Sequence, residues 1–195
     1  MAAFRWSSIL PPAAIHVARA IRSRDERHDV VYEYGRRLRG EPPLPTEPIE
    51  RVVVLCYGNI CRSPFAGLDL ARQNPKLQVR TAGLFATEGK PPEPGALRIA
   101  TEHGIDLSSH AAHLLDESDV AWADLLIGMQ GRHVSTIADR WPEAREKTRL
   151  LGDYASDAPY WIEDPWGFPD DYFREVFAQI VAANRNLNAR IEAVR

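Results

Sequence analysis

The chain has 195 residues, of which 45% are hydrophobic and 26% charged, a composition that supports one sizeable core and excludes global disorder or two fused enzymes. Its 24 basic and 27 acidic side chains leave a formal charge of −3, so no overall field attracts nucleic acid or an anionic membrane, and any anion site must be local. The two cysteines, Cys56 and Cys61, exclude a disulfide-stapled secreted scaffold and favour a cytoplasmic setting, and no apolar run approaches the roughly 18 residues that span a bilayer.

The first fifty residues differ from the rest of the chain. Apolar side chains at helical spacing over 13–24 and again over 30–38 predict two amphipathic, arginine-rich helices. They could pack on the main domain, form a homodimer contact with a second copy, or bind a membrane surface or acidic partner. Four prolines over 40–48 cannot continue a helix. We therefore predict a helical extension over 1–40, a proline-rich linker over 41–50 and a domain over 51–195.

From residue 51 onward, strand and helix patterns alternate. The apolar, β-branched run over 51–55 is typical of a strand buried on both faces. Further strands are predicted over 77–82, 123–129 and 148–151, and helices over 64–73, 94–103, 132–140 and 170–191. Gly104 is expected to end the second of these helices in a left-handed conformation. The repeated β-α units predict an α/β fold with a doubly wound four-stranded parallel sheet, whose ligands bind beyond the carboxyl ends of the strands.

The loop over 56–63, with the sequence CYGNICRS, lies between the first predicted strand and the first predicted helix. Backbone N–H groups of a loop in that position point into one concavity and bind an anion. Gly58 permits a backbone conformation that a Cβ would resist, Asn59 tolerates a left-handed turn, and Arg62 offers a planar fork of donors to two phosphate oxygens. The loop therefore predicts a site for a tetrahedral dianion.

Cys56 opens this loop at the end of the strand. The positive field of the loop favours the ionised form of its thiol, so Cys56 is predicted to be a nucleophile. Ser63 is placed to donate a hydrogen bond to the sulfur and to help it leave when a phosphocysteine is hydrolysed. The alternative is a buried, inert cysteine beside a surface arginine.

Asp164 precedes Pro165 in the long loop before the last predicted helix. The proline keeps the backbone of Asp164 extended, which allows the carboxyl group to project over the loop and donate a proton to a leaving oxygen. On its own the pair would be an ordinary Asp-Pro turn. The Cys56 loop is the observation that favours the catalytic interpretation.

The sequence over 51–193 resembles the low-molecular-weight protein tyrosine phosphatases. The motifs that carry the resemblance are the loop over 56–64, the segment 81–83 (TAG), the stretch 104–110 (GIDLSSH) and the Asp-Pro pair at 164–165. The resemblance implies a flavodoxin-like phosphatase fold that hydrolyses phosphotyrosine and other aryl phosphate monoesters through a phosphocysteine intermediate. It implies Cys56 as the nucleophile, Arg62 as the phosphate clamp and Asp164 as the general acid, acting on a phosphotyrosine-bearing protein.

The same resemblance implies roles for the surrounding residues. Asn59 and Ser63 would hold the loop and tune the thiolate, while Thr81 and His110 would support it. Phe85 and Trp166 would contact the ring of the substrate. The residues implied to bind phosphate are Tyr57, Gly58, Asn59, Ile60, Cys61 and Ser63. No metal or organic cofactor is predicted, because Arg62 and backbone N–H groups supply the charge stabilisation that metals supply elsewhere.

Four positions depart from the family pattern. Thr87 stands where an aromatic wall is usual, His113 where arginine is common, Gln130 where an acidic residue is common, and Gly167 where many members have a second aromatic residue. We expect these changes to affect local support and specificity more than the chemical step. Ile60 favours phosphotyrosine, because relatives that cleave arginine phosphate typically have threonine there.

Several alternatives stay open at this stage. Cys61 is either a small buried hydrophobe or, as in the family, the partner of Cys56 in a reversible disulfide. A zinc site is not predicted, because this pair of cysteines has no second ligand pair nearby. Arsenate reduction on the same fold needs a cysteine relay, and because the chain has no third cysteine, this alternative is a reductase coupled to glutathione or to a partner thiol. A phosphoprotein-binding module would keep the loop without turnover.

Overall fold

A computed structural model describes residues 43–45, 48–155 and 160–194, together with Val31, Gly35 and Leu38. These three isolated positions are helical, which agrees with the helix predicted over 30–38. The helix predicted over 13–24 lies outside the described residues, so the division into an extension, a linker and a domain stays a prediction.

Four strands, five α-helices and two short 3₁₀-helices make up the domain in the described part of the chain. The strands are β1 (Arg51–Cys56), β2 (Gln78–Gly83), β3 (Leu125–Gly128) and β4 (Thr148–Leu150). The α-helices are α1 (Arg62–Gln73), α2 (Pro94–Glu102), α3 (Glu117–Trp122), α4 (Gly131–Arg140) and α5 (Asp170–Ala193). The 3₁₀-helices are Pro142–Lys147 and Leu151–Tyr154. Every strand and helix predicted from residue 51 onward is present, whereas α3 and both 3₁₀-helices were not predicted.

The four strands form one parallel sheet, as predicted, and their order in it is β2-β1-β3-β4. β1 is central, and its last residue, Cys56, pairs with Gly83 at the end of β2. In sheets of this kind, ligands bind where the strand order reverses, at the carboxyl ends of the strands. Cys56 therefore lies at the edge of the sheet where the topology places a ligand.

The core lies on both faces of the sheet, because alternate residues of β1 point in opposite directions. Val52 and Val54 pack with apolar residues of α1, α2 and α5, while Val53 and Leu55 pack with residues of α3 and α4. The ring of Phe65 in α1 stacks on the ring of Phe177 in α5, with centroids 3.9 Å apart. This double burial holds the end of β1 rigidly. The helix α2 ends before Gly104, which is left-handed as predicted.

The described part of the proline-rich segment packs against the domain. Ile49 is fully buried in the core, and Leu44 packs on the same cluster. Arg149 in β4 donates a hydrogen bond through Nε to the carbonyl oxygen of Pro43 at 2.7 Å. The segment that leads into β1 therefore contributes to the domain. None of the helices in the described residues has the length and apolar composition needed to cross a lipid bilayer.

Candidate active site

The loop between β1 and α1 wraps around the sulfur of Cys56. The backbone N–H of Asn59 donates to Cys56 Sγ at 3.3 Å, and the hydroxyl of Ser63 donates to it at 3.1 Å. Asn59 has φ of +53°, the left-handed conformation that asparagine was expected to tolerate here. Gly58 is not left-handed, contrary to the conformational role expected of it, because the turn falls on Asn59.

The end of β2 supports this loop from below. A Cβ at Gly83 would lie 2.8 Å from the nitrogen of Asn59 and 2.9 Å from the carbonyl carbon of Gly58, so only glycine allows this close approach. Two backbone hydrogen bonds join the segments, from Leu84 N–H to the Cys56 carbonyl and from Phe85 N–H to the Tyr57 carbonyl. The end of β2 therefore fixes the position of the loop relative to the sheet.

Asn59 connects the loop to its surroundings. Its Nδ2 donates to Ser63 Oγ at 2.8 Å, and its Oδ1 accepts the backbone N–H of His113 at 2.9 Å. His110 Nε2 lies 2.8 Å from the backbone carbonyl oxygen of Asn59. Because a carbonyl only accepts, the hydrogen is on Nε2 of His110. The two residues are in contact, and the contact is made through the main chain of Asn59.

Arg62 is almost fully buried, with 1% of its surface exposed. Its Nη1 donates to Gln130 Oε1 at 2.8 Å and to the carbonyl of Ile162 at 3.0 Å, and its Nη2 donates to Asp164 Oδ2 at 2.6 Å. Its Nε is buried without a hydrogen-bond acceptor in the described part of the protein. A buried cationic N–H group requires an acceptor, and a phosphate oxygen is a suitable one.

Asp164 faces Arg62 from the long loop before α5. Its Oδ1 accepts the backbone N–H of Trp166 at 3.3 Å, and a third of its side chain is exposed. The loop is fixed to the end of β3 by a hydrogen bond of 2.7 Å from Ile162 N–H to the Met129 carbonyl. The carboxyl group is thus held over the cavity that contains Cys56.

A cavity of about 440 Å³ opens above the loop. The lining residues are Cys56, Tyr57, Gly58, Ile60, Cys61, Arg62, Phe85, Thr87, Lys90, Arg132, Asp164 and Trp166. Phe85 and Trp166, the two residues predicted to contact a substrate ring, both line it and are partly exposed. Phe85 stacks on Tyr57 with ring centroids 4.8 Å apart. Aromatic side chains therefore form part of the wall although Thr87 is not aromatic.

Thr81, predicted to support the loop, lies in β2 and does not line the cavity. Its Cγ2 packs against Gly67 in α1, where a Cβ would come within 2.3 Å. The next residue, Ala82, does reach the loop, since its carbonyl oxygen lies 3.3 Å from Ser63 Oγ. The supporting role of Thr81 stays a prediction.

His113 occupies a charged position beside the loop. Its Nε2 lies 2.7 Å from Asp119 Oδ2 and its Nδ1 lies 3.2 Å from Glu88 Oε1. Burial lowers the pKa of His113, but the hydrogen bond to Asp119 and the charges of both carboxylates outweigh burial and raise it overall. The raised pKa favours the protonated imidazole, which carries positive charge at a position where arginine is common in the family.

Cys61 and Cys56 are both buried and carry free thiols. Burial, reinforced by the negative charge at Cys56, raises the pKa of the Cys61 thiol well above its ordinary value. Cys61 is therefore a neutral thiol at pH 7, and its disulfide with Cys56 stays a prediction.

Several partners of Arg62 were not predicted from the sequence. Gln130 was noted only as a departure, and the acceptor role of the Ile162 carbonyl was not foreseen. His133, fully buried in α4, accepts the Met129 N–H through Nδ1 at 3.1 Å. Burial and the nearby charges of Arg62 and Arg132 hold the pKa of His133 well below 6.5, so it is neutral. The available signal was position, because Gln130 directly follows the strand predicted over 123–129, which ends at the same sheet edge as β1.

Sequence comparison relates this domain to known enzymes. A family model described as low molecular weight phosphotyrosine protein phosphatase matches residues 51–195. The low molecular weight protein-tyrosine-phosphatase Wzb of Salmonella typhi is 35% identical over 135 residues, which cover 69% of this chain and 89% of that protein. A protein-arginine-phosphatase from Geobacillus stearothermophilus is 35% identical over 125 residues, covering 64% of this chain and 84% of that protein.

Solved structures give the same picture. The YwlE arginine phosphatase from Geobacillus stearothermophilus superposes with a TM-score of 0.69 and 31% identity, covering 74% of this chain and 94% of that one. The tyrosine phosphatase Wzb from Escherichia coli K30, solved in complex with sulphate, superposes with a TM-score of 0.69 and 30% identity, covering 72% and 97%. Both similarities extend over most of the related chain.

Proposed function

The chain belongs to the low molecular weight phosphotyrosine protein phosphatase family, and on that premise we propose that it hydrolyses phosphotyrosine in proteins with Cys56 as the nucleophile. One observation carries the proposal. The Cys56 sulfur receives hydrogen bonds from the Asn59 N–H and the Ser63 hydroxyl in a cavity that Arg62 and Asp164 also line. Such an arrangement stabilises a thiolate and binds an oxyanion above it.

In the first step, the Cys56 thiolate attacks the phosphorus and a sulfur–phosphorus bond forms as the bond to the phenolic oxygen breaks. The Arg62 guanidinium and the loop N–H groups bind the equatorial oxygens, on which negative charge is spread in the transition state. Asp164 donates a proton to the departing oxygen, so that tyrosine leaves as a neutral phenol.

In the second step, the Asp164 carboxylate accepts a proton from water as the water oxygen attacks phosphorus. The sulfur–phosphorus bond breaks, inorganic phosphate forms and Cys56 regains its thiolate. The Ser63 hydroxyl, 3.1 Å from Sγ, stabilises the negative charge that returns to the sulfur. The cycle needs no redox partner, because no electron leaves or enters the protein.

The lining of the cavity favours phosphotyrosine over phosphoarginine, the substrate type named for some of the relatives. In the described lining, Asp164 is the one carboxylate, and it is already paired with Arg62, while Lys90 and Arg132 are cationic. A guanidinium group would meet like charge there, whereas a neutral phenol ring would meet Tyr57, Phe85 and Trp166. The apolar Ile60 supports the same choice.

Trapping the phosphocysteine intermediate tests the proposed function. Wild-type protein incubated with an aryl phosphate and quenched in acid is expected to carry one phosphoryl group on Cys56, located by mass spectrometry. Cys56→Ser should hydrolyse no substrate while still binding it. Binding without turnover by the wild type would instead indicate a phosphoprotein-binding module, and arsenate-dependent thiol consumption would indicate a reductase.

Asp164→Ala provides a second test that isolates the general acid. Loss of the proton donor should slow hydrolysis by about 10² to 10⁴-fold for phosphotyrosine. The loss should be much smaller for an aryl phosphate with an acidic phenol, which leaves without a proton. Equal losses with both leaving groups would rule out Asp164 as the acid.

The setting and assembly of the enzyme are part of the same proposal. Two free, buried cysteines, one of them the nucleophile, support a reducing compartment such as the cytoplasm. The exposure of Val31 and Leu38, which lie about two helical turns apart on the extension, supports a homodimer contact there. Cell fractionation and sedimentation of the full chain test these two points.

A further inference from the structure

The main chain of His113 connects the Cys56 loop to the end of β2. Its N–H donates to Asn59 Oδ1 at 2.9 Å, and its carbonyl oxygen accepts the Gly83 N–H at 2.8 Å. Asn59 Nδ2 in turn donates to Ser63 Oγ, and the Ser63 hydroxyl donates to Cys56 Sγ. A chain of three hydrogen bonds therefore leads from the main chain of His113 to the sulfur.

The side chain of His113 lies between two carboxylates that belong to different elements. Its Nε2 lies 2.7 Å from Asp119 Oδ2 in α3, and its Nδ1 lies 3.2 Å from Glu88 Oε1 in the loop after β2. An ionised carboxylate accepts hydrogen bonds and donates none, so both contacts are favourable only when both ring nitrogens carry a hydrogen. A neutral imidazole has one N–H group and would turn a lone pair towards one of the two carboxylates.

The carboxylates around His113 favour its protonated form. Asp116, which precedes α3, adds a third negative charge, and its side chain accepts the Asp119 N–H. Arg80 of β2 supplies a positive charge on the far side of Asp119, with Nη1 3.3 Å from Oδ1. Burial lowers the pKa of His113, but the three carboxylates outweigh burial and raise it above 6.5.

Glu88 also connects His113 to the wall of the cavity. Its Oε1 accepts the Leu114 N–H at 2.5 Å as well as facing the imidazole. It follows Thr87 in the chain, and Thr87 lines the cavity. The ion pair between His113 and Glu88 therefore ties the cavity wall to the segment that contacts Asn59.

We propose that His113 is a positioning residue, whose protonated side chain holds its own segment against Asn59 and whose loss of a proton slows hydrolysis at alkaline pH. The inference rests on the proposed function, because its readout is turnover at Cys56. When the imidazole loses its proton, one of its two carboxylate contacts becomes repulsive. The Asn59 side chain is then held less firmly, and with it the Ser63 hydroxyl that stabilises the sulfur.

The experiment measures kcat/KM as a function of pH. The range runs from about pH 6 to about pH 9, because the pKa of His113 lies above its usual value. The substrate is an aryl phosphate with an acidic phenol, which leaves without a proton, so that general acid catalysis contributes little to the profile. Dividing each variant by the wild type at the same pH cancels the ionisation of the substrate.

Two substitutions of His113 fix its charge in opposite ways. His113→Gln has no charge, so it should be about threefold slower than the wild type at about pH 6 and equal to it at about pH 9. His113→Arg stays charged, so it should match the wild type at about pH 6 and be about threefold faster at about pH 9. A threefold effect is about the size expected of one partly exposed ion pair.

A substitution outside His113 tests the same ion pair. Glu88→Gln keeps an acceptor for the Leu114 N–H but removes a negative charge beside the imidazole, so the alkaline loss of activity should begin at a lower pH than in the wild type. His103→Gln is the matched control, because His103 follows α2 and does not line the cavity. The ratio of this control to the wild type should not change with pH.

Proton NMR of the imidazole in the wild type gives a readout that does not depend on any variant. The titration of His113 should fall in the same pH range as the change in the activity ratios. A titration outside that range would overturn the inference.

The kinetic outcomes separate the two hypotheses. Ratios that stay constant with pH in both His113 variants would show a merely structural role, which would overturn the inference and leave the proposed function intact. A ratio that changes equally in His103→Gln would overturn it too, since the pH dependence would then not belong to His113. If the wild type hydrolyses no aryl phosphate at any pH, the proposed function fails and the inference with it.

Discussion

At the residue scale, Gln130 shows how the site keeps its positive charge. Its Oε1 accepts hydrogen bonds from Arg62 Nη1 and Arg132 Nη2, both at 2.8 Å. A neutral acceptor orients two guanidinium groups without neutralising either of them. Gln130 therefore leaves the charge of Arg62 to be balanced by Asp164 or by a dianionic ligand.

Gln130→Glu should weaken the binding of phosphate. The added carboxylate would compete with the ligand for Arg62, and we expect inhibition by inorganic phosphate to weaken about tenfold, as for a nearby opposite charge that shifts an equilibrium by about 1.4 kcal/mol. The inhibition constant of inorganic phosphate is measured from its competitive inhibition of aryl phosphate hydrolysis. Gln78→Glu, an exposed position at the start of β2, is the control. An unchanged inhibition constant would contradict the neutral-acceptor role.

Ser63→Ala should slow the second chemical step more than the first. Without the hydroxyl that donates to Cys56 Sγ, the returning thiolate is less stabilised, and we expect steady-state turnover to fall about tenfold. Rapid-quench measurements should show a burst of phenol followed by slow release of phosphate. A variant that shows no burst would place the effect of Ser63 before the intermediate.

The residues that can be predicted at this scale are those close together in the chain. The segment 56–63 contains Cys56, Asn59, Arg62 and Ser63. A single turn of the chain is therefore enough to bring these four side chains close together. The partners of Arg62 lie 68 to 102 positions away, and their distances depend on how β3 and the α5 loop pack. Asp164 was predicted through its motif, whereas the carbonyl of Ile162 has no side-chain signal at all.

At the scale of elements, the contact between β2 and the loop over 56–63 is the one that a small change would break. Gly83→Ala would push a methyl group into the backbone of Asn59 and Gly58. We expect a loss of about 1 to 3 kcal/mol in the free energy of unfolding, as for other overpacked sites, together with weaker phosphate binding. Urea denaturation and phosphate inhibition measure the two effects.

Gly58→Ala is the matched control for stability, because a Cβ there would meet only the side chain of Ile60 at 3.7 Å and beyond. It is expected to unfold at nearly the same urea concentration as the wild type. If Gly58→Ala were as damaging as Gly83→Ala, the close approach of β2 would not be the reason for glycine at position 83.

The elements that were not predicted are the short ones. α3 has six residues, too few to show a helical period, and its start is marked by the Asp116 side chain, which accepts the Asp119 N–H. The longer α5, with 24 residues, was predicted nearly to its ends. Elements whose apolar face repeats over several turns can be identified from sequence, and single turns fixed by a cap cannot.

At the scale of the whole molecule, Ile49 joins the proline-rich segment to the core. It is fully buried before β1 begins. Ile49→Ala should lower the free energy of unfolding by about 2 to 4 kcal/mol, the usual cost of such a truncation in a core. Urea denaturation of the full chain measures it, with Val31→Ala as the exposed control that should change stability little. Equal effects would show that the segment does not contribute to the domain.

The stability of the molecule should also depend on pH through His133. Its pKa is depressed in the folded state by burial and by the charges of Arg62 and Arg132, so the unfolded chain binds the proton more readily. This contribution is complete above the unfolded value of about 6.5 and is lost as the pH falls below it, by at most about 1.4 kcal/mol per pH unit.

Urea denaturation at several pH values between about 7.5 and 5 tests this prediction, because an unperturbed histidine titrates in that range. His133→Gln should remove most of the slope, although it lowers stability at every pH by disturbing the contact with Met129. A slope that persists in the variant would assign the acid sensitivity to other groups.

The overall architecture could be predicted from the sequence because alternating β-α patterns admit few sheet topologies. The packing of the proline-rich segment could not, because prolines specify only an extended backbone. The bond from Arg149 to the carbonyl of Pro43 joins positions 106 residues apart. Only the folded sheet brings these two positions together.

The pairing of Arg62 with Asp164 has a consequence for inhibitor design. A molecule that enters the pocket must separate these two groups before it gains a full contact with the guanidinium. A compound with a single negative charge only replaces the Asp164 carboxylate as the partner of Arg62, and it should therefore bind weakly. Those that combine a doubly charged phosphonate with a neighbouring donor for the displaced aspartate satisfy both halves of the broken pair, and should make the better lead compounds.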